Sequence, residues 1–339
     1  MKHEIDLQKY TIRSDLAIDN IENTTQLQGI NQHIHNYNDI TVTEVQLSEQ
    51  NSLYKKPGYY ITVEFQDITD TDNFNNVSNI LIKYIHQILK KMNIKKQYTC
   101  LIVGLGNVNS TPDSLGPLVI DNVLVTNHIY ELGELAEDYR RVSAIAPGVV
   151  GQTGIETTDI IKSVVEEIKP DFLIVIDALA SQSIERVNKT IQMTNTGIHP
   201  GSGIGNSRKE LSQETIGIPV LAIGIPTVVD ASVIVSDTIN YMYKHYVFMK
   251  EFNKNPQSKL TFNNVNYLDK TIKVNDMDRG KLLGLVGKLN QDEVRELIYE
   301  VLNPIGYNLM VTPKEIDFVM DKLVKLIAQS LNKALHNKK

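Results

Sequence analysis

Three uninterrupted apolar runs, Cys100–Val103, Phe172–Ile176 and Val220–Ile225, constrain this fold more than any other feature of the chain. Each is too short for a self-burying helix and lacks the apolar–polar alternation of a half-exposed strand. Such runs belong to strands buried on both faces, as in parallel sheets covered by helices. Segments of helical period lie between them. One spans Leu115–His128, and a second carries Ile160, Ile161, Val164, Val165 and Ile168 on one side. Val142–Ile145 and Thr190–Thr194 add strands, and a helix is expected after PTVVDAS to about Met249. From Tyr98 to about Lys250 the order is strand, loop, helix, repeated. That order predicts an α/β fold with a mostly parallel central sheet and helices on both faces.

The flanks read differently. Residues 1 to about 40 are polar and Asn-rich, and are expected to be loop-like. Thr41–Gln46 and Tyr59–Phe65 alternate as half-buried strands, with KKPG as the turn between them. A helix follows, striped by Val77, Ile80, Leu81, Tyr84, Ile85, Ile88, Leu89 and Met92. Residues 251–275 read as a linker. The tail is helical: Thr312-Pro313-Lys314-Glu315 has the form of a capping box. Ile316, Val319, Met320, Leu323, Leu326, Ile327 and Leu331 form its stripe. The expected organisation is one domain: a core at 98–250, N-terminal strands and a helix at 41–93, and C-terminal helices at 280–336.

With 34 Lys and Arg against 40 Asp and Glu, the net charge is −6, and no long run of one sign occurs. The basic footprint of a nucleic-acid binder is absent. The lone Cys100 excludes an internal disulfide and suits a reducing compartment. No apolar stretch approaches the roughly 20 residues needed to span a bilayer, and the start MKHEIDLQKYTIRSD lacks a signal-peptide core. A soluble intracellular protein is expected.

Two carboxylates stand where the chain leaves a buried strand: Asp113, in GLGNVNSTPDSLGP, and Asp177, in FLIVIDALA. Ligands of open α/β sheets gather beyond the carboxyl ends of the strands. Two acids delivered there would share a water or a proton, as acid/base hydrolysis requires. Asp113 has a plainer reading as an N-cap or turn residue of the Leu115 helix. Asp177 directly follows five apolar residues, so it needs a partner or a function to offset desolvation. Asp230, in PTVVDAS, reads as a helix N-cap, and Asp171 as a turn residue.

VGLGN is not a dinucleotide fingerprint, because Asn109 stands where the third glycine belongs. Its glycines permit a tight turn, with Asn107 hydrogen-bonding the loop. HPGSGIGN (199–206) supplies Gly201, Ser202 and Gly203 with exposed N–H groups. These would cradle an anion or oxyanion, clamp a peptide backbone, or simply connect elements. His199 beside Pro200 reads as structural or surface, with an Asp113/Asp177/His199 metal site as the alternative. No H-E-x-x-H motif, cysteine pair or G-x-S-x-G motif exists, so no metal or cofactor is expected. Cys100 opens a buried strand and reads as an inert core thiol.

The stretches VGLGN, TPDSLGP, VSAIAPGVVGQTGIET, PDFLIVIDALA, SIERVN, IHPGSGIGN and GIPVLAIGIPTVVDA resemble the germination protease family of spore-forming bacteria. DLQKYTIRSDLAID and PIGYNLMVTPKEID extend the resemblance to nearly the whole chain. It implies an endopeptidase of atypical aspartic type that degrades small acid-soluble, DNA-coating spore proteins during germination, in the forespore or spore core. It also implies a zymogen active as a homotetramer, with its catalytic acids at Asp113 and Asp177. The implied fold is the phosphorylase/hydrolase-like three-layer α/β type, shared with metal-dependent hydrogenase-maturation peptidases. Asp15-Leu16-Ala17 resembles the family's processing site. Removal of a propeptide, residues 1–15, would leave a single peptidase domain of 16–339. One departure is Gln182, where the family pattern leads one to expect Arg, whose charged planar fork Gln cannot replace. An inactive scaffold is the reading that this departure prompts.

Overall fold

The computed structural model describes residues 16, 18, 28–53, 55–200, 209–254, 272–289, 291–302 and 309–336. The described residues fall into two compact units: those of Thr11–Val229 together with the segment from Thr312, and those of Asp230–Val311.

The first unit is built on a sheet of β1 (Ile30–Tyr37), β2 (Ile40–Leu47), β3 (Gly58–Glu64), β4 (Cys100–Gly104), β5 (Val142–Ile145), β6 (Phe172–Ser181), β7 (Thr190–Thr194) and β8 (Val220–Asp230). Their spatial order is β1-β2-β3-β7-β8-β6-β4-β5. The pairs β5/β4, β4/β6 and β6/β8 are parallel. From β8 outward through β7, β3, β2 and β1 every pairing is antiparallel. The sheet is therefore mixed, and the expected parallel arrangement holds only for β5, β4, β6 and β8. The apolar runs predict burial correctly, but burial alone does not fix the direction of β7. β1 falls in a stretch expected to be loop-like. Its residues are exposed along both faces at the sheet edge, so no alternation marks it. A two-residue turn at Asn38-Asp39, with Asn38 at φ 53°, joins it to β2.

Alternate residues of the parallel strands feed opposite cores. Cys100, Ile102, Phe172, Ile174, Ile176, Leu221, Ile223 and Ile225 enter one cluster, packed with α1 (Thr71–Lys91), α2 (Leu115–Ile120) and the C-terminal helix Ile316–Leu335. Leu101, Val103, Leu173, Val175 and Val220 enter the other, under α3 (Thr157–Ile168). Burial on both faces is why these strands read as unbroken apolar runs. Asp70 caps α1 by accepting from Asn73 N, and the predicted stripe from Val77 to Leu89 is buried.

The helix expected over Leu115–His128 stops at Ile120, and a separate turn forms at Asn127–Glu131. Tertiary bonds draw off the intervening chain: Leu124 N donates to Asn332 Oδ1 (2.8 Å), and Thr126 N donates to Val142 O (2.9 Å). The β-branched Val123, Val125 and Thr126 resist helix weakly, so these bonds prevail. The capping box at Thr312 does not form either. The last helix starts at Ile316, after Glu315 with no side-chain cap bond, while Thr312 Oγ1 donates to Thr227 O (2.9 Å).

The second unit holds α4 (Ala231–Lys254), α5 (Asp276–Leu283) and α6 (Gln291–Leu302), followed in the first unit by α7, the helix Ile316–Leu335. Lys250 Nζ meets the buried Asp278 Oδ1 at 2.5 Å, joining α4 to α5. Most of the linker expected at 251–275 lies outside the described residues. No helix of the described residues is long and apolar enough to cross a membrane.

Candidate active site

The site is assembled where β4 ends, against the middle of β6 and the later part of β8. Past Gly104, Leu105 N donates to Ile176 O (2.8 Å), carrying the β4/β6 ladder one residue further. Gly106 then turns the chain at φ 118°, and a Cβ there would lie 2.0 Å from Asp113 O. Only glycine fits both constraints. Asn107 N donates to both Asp113 O (3.0 Å) and Asp113 Oδ2 (2.9 Å), so the 106–113 loop closes on itself. Asn107 Oδ1 accepts from Asn109 N (3.0 Å), the turn bond expected of it, and from Gln152 Nε2 (2.7 Å). Thr227 Oγ1 in β8 holds the loop from the other side by donating to Pro112 O (2.6 Å).

Asp113 ends a 3₁₀ turn, Thr111–Asp113, packed against β6. The N-cap reading does not hold for it. Ser114 occupies the cap position of α2, and the Asp113 carboxylate faces back to Asn107. Gly116 lets α2 begin on top of the strands: a Cβ there would meet Leu105 O at 2.2 Å and Ile176 O at 2.7 Å. The next residue of that strand is Asp177, which is 5% exposed and accepts from Ala178 N (2.9 Å) at Oδ1. In register it lies beside Gly224 of β8. The β4/β6 ladder makes its last pair at Gly104 and Ile176, so Asp177 is the first β6 residue beyond it. β6 itself runs on to Ser181 beside β8, and the strand end expected at Asp177 is not found. Asp113 is half-buried on a hydrogen-bonded loop, and Asp177 is buried in a strand.

His199 is exposed, and its Nε2 lies 3.8 Å from Glu210 Oε2; Glu210 also meets Lys56 Nζ at 2.5 Å. Among the described residues no group of three or more His, Cys, Asp or Glu is arranged to hold a metal ion. Gly201, Ser202, Gly203 and Asp15 lie outside the described residues. Leu16 is buried against Leu179 and Ile198. Asp230 caps α4 as expected, accepting from Ser232 N (2.7 Å) and Ser232 Oγ (2.6 Å). Asp171 ties Thr99 through its N (2.7 Å) and Oγ1 (2.9 Å) at the opposite strand end, a structural role. Gln182 is half-buried directly after β6.

Asn107 and Gln152 were visible in sequence only as loop residues, and Thr227 not at all. Their contribution is contact between segments far apart in the chain. Cys100 is a buried free thiol, and burial pushes it well above the usual thiol range. A thiol reagent such as dithionitrobenzoate is therefore expected to leave the folded protein unmodified, and to titrate one thiol after denaturation. Rapid modification before unfolding would contradict the inert reading.

The sequence profile of germination proteases matches residues 7–339. The germination protease of Geobacillus sp. (strain WCH70) is 47% identical, over 99% of this chain and 96% of its own. That of Bacillus cytotoxicus (strain DSM 22905 / CIP 110041 / 391-98 / NVH 391-98) is 50% identical, over 99% and 97%. Among solved structures, the [NiFe] hydrogenase maturation protease HycI from Thermococcus kodakarensis KOD1 aligns over 41% of this chain and 80% of its own. Its identity is 17% and its TM-score 0.27, a likeness too slight to define the fold.

Proposed function

We propose that this chain, which belongs to the germination protease family and is therefore a protease, is an endopeptidase that hydrolyses its substrate with Asp113 and Asp177 acting as a pair. The observation that supports this reading is that Asp113 lies on the closed loop leaving β4 while Asp177 is the first residue of β6 beyond its pairing with β4. Environment divides the roles. Asp113 is half-buried and receives the Asn107 N–H, which favours its charged form. It is the base that takes a proton from water. Asp177 likewise accepts a backbone N–H, from Ala178, but is buried more deeply, and on that ground is assigned as the acid that protonates the scissile carbonyl. Water adds to the carbonyl carbon as its proton passes to Asp113. The tetrahedral intermediate then collapses: the C–N bond breaks as Asp113 delivers its proton to the amine nitrogen, and a hydroxyl proton of the intermediate returns to Asp177. The N–H groups of Gly201, Ser202 and Gly203, after His199, are assigned to the oxyanion. No cofactor or metal takes part.

The finer reading follows the family resemblance. The substrates are small acid-soluble spore proteins, and the compartment is the forespore or spore core. The active form is a homotetramer of the phosphorylase/hydrolase-like three-layer fold, without nucleic-acid or membrane binding. Residues 1–15 are a propeptide, removed between Asp15 and Leu16 to leave the peptidase domain 16–339.

One experiment tests this. The purified chain is incubated with a small acid-soluble spore protein, with and without exhaustive chelation, and its own N-terminus is sequenced over time. Chelator-resistant cutting by protein that comes to begin at Leu16 is expected. Loss of cutting on chelation with recovery on added metal would turn the pair into metal ligands. No cutting by folded protein would point to an inactive scaffold, with Gln182 as the first suspect.

A further inference from the structure

At the end of the parallel strands away from the two acids, the chain forms a cavity of about 780 Å³. Its walls are the C-terminal ends of α1 and α7 and the segments that lead into β4 and β5. Five cations line it: Lys90, Lys95, Lys96, Arg140 and Arg141. On a chain of net charge −6, mutual repulsion in such a gathering calls for a reason. Arg141 is answered by Glu131 (3.0 Å), but among the described residues Lys90, Lys95, Lys96 and Arg140 form no ion pair. Glu137 and Asp138 also line the cavity; both are exposed, and among the described residues neither bonds to these cations.

Arg140 carries the argument. It is half-buried over the Phe172 ring, 5.2 Å from the centroid, and its Nη1 donates to Lys95 O (2.9 Å) and to Tyr98 O. Its Nε is buried without a partner, and among the described residues Nη2 makes no hydrogen bond. Nε and Nη2 together are the side-on fork of an arginine, the edge that takes two oxygens of one anion. Burial also holds this guanidinium below its usual range, a cost that an anion at the fork would relieve.

The plainer reading is that the cations answer the carbonyls at two helix ends. Those carbonyls are already satisfied. Asn93, at φ 58°, turns the end of α1 so that Met92 N donates to Ile88 O (2.9 Å), Ile94 N to Leu89 O (2.9 Å) and Asn93 N to Lys90 O (3.0 Å). At the end of α7, His86 Nε2 donates to Ala334 O (2.9 Å) and His336 N to Asn332 O (3.1 Å). Lys95, Lys96, Arg140 and Arg141 moreover lie outside every helix.

We infer that this cavity is a binding site for a small phosphate-rich anion, with two phosphate oxygens on Nε and Nη2 of Arg140 and the remaining charge met by Lys90, Lys95 and Lys96. The site is separate from the peptidase site and does not depend on that reading. Four unpaired cations exceed what a single carboxylate would neutralise, which favours a polyphosphate. The volume is that of a small-molecule pocket. Leu89, Leu135 and Tyr139 in its wall offer apolar surface to an organic group attached to the phosphates.

Calorimetry on the full chain, at one fixed ionic strength, measures binding of sodium tripolyphosphate, ATP and sulfate. Tripolyphosphate is expected to bind at least about tenfold more tightly than sulfate and to raise the melting temperature. The double variant Lys95→Gln/Lys96→Gln alters only exposed side chains and should weaken tripolyphosphate about tenfold or more. Arg140→Lys keeps the charge but lacks the fork, and should weaken it by a similar factor of about ten. Should Arg140→Lys fail to fold, because the Lys95 and Tyr98 carbonyls lose their donor, the lysine pair decides alone. ATP binding more tightly than tripolyphosphate would assign the apolar wall to the base, and equal binding would assign recognition to phosphate alone; either supports the site. No saturable binding, sulfate bound as tightly as tripolyphosphate, or full affinity in the folded variants would overturn it. So would displacement of tripolyphosphate by a short DNA duplex at equal phosphate concentration, which would make the cations a nucleic-acid backbone contact. Peptide cleavage is not a readout here, so this proposal and the peptidase reading fail separately.

Discussion

Replacing either acid by its amide, Asp113→Asn or Asp177→Asn, should lower kcat on the order of 10³-fold or more while leaving the fold intact. Asparagine matches aspartate in volume, so packing around β6 and the 106–113 loop changes little. At 113 the amide cannot accept a proton, yet its Oδ1 still accepts the Asn107 N–H. The loop keeps its closure and loses only the base. At 177 the amide keeps a donor aimed where the protonated acid donates, but has no proton to release. Asp177→Asn should therefore keep KM within a few-fold and lose kcat, the pattern of an interaction made only in the transition state. Thermal stability should hold at both positions, and removal of a buried ionisable group at 177 argues against any large fall. Steady-state kinetics on a spore-protein substrate and thermal melts of both variants supply the check. A folded variant retaining more than about a tenth of the activity would remove that residue from the mechanism.

What the sequence revealed of this site, and what it hid, divides along the range of the interactions. Asp177 was legible because desolvation marks a carboxylate after five apolar residues, and Asp113 from its place in the Gly-rich loop that follows the Cys100–Val103 run. The same logic located β4, β6 and β8. Direction was not legible, since Thr190–Thr194 carries the same residue types whether it runs parallel or antiparallel. Asp113 looked like a helix cap because Ser114 and Leu115 follow it. Its actual contact, with Asn107 six residues earlier, depends on how Gly106 turns the chain. Edge strand β1 and the break after Ile120 were hidden for a related reason. Tertiary partners, Thr41–Leu47 for one and Asn332 for the other, override weak local preference. The clamps on the Asp113 loop, Gln152 and Thr227, are polar side chains whose use appears only once β5 and β8 stand beside β4 and β6.

Gly106→Ala is expected to do nearly as much damage as losing an acid, by a different route. Two costs combine at this position. The backbone sits at φ 118°, where a residue with a Cβ is strained, and that Cβ would stand 2.0 Å from the Asp113 carbonyl oxygen and 3.2 Å from its Oδ1. The obstructing atom is backbone, so the loop must open rather than a side chain swing aside. Opening it breaks both bonds from Asn107 N to Asp113 and moves the carboxylate relative to Asp177. A destabilisation of about 2–4 kcal/mol follows, with a loss of roughly 10²-fold in kcat for a displacement near 1 Å. Gly154→Ala separates the two costs. Gly154 has φ 71° but nothing within 4 Å of the added methyl, so it carries backbone strain alone. Only about 1 kcal/mol of stability should be lost there, with activity nearly unchanged. Denaturant melts and kcat for the two variants, run side by side, test whether the 106–113 closure positions Asp113. Equal losses in both would mean that strain at a glycine, rather than contact with the Asp113 backbone, accounts for the effect.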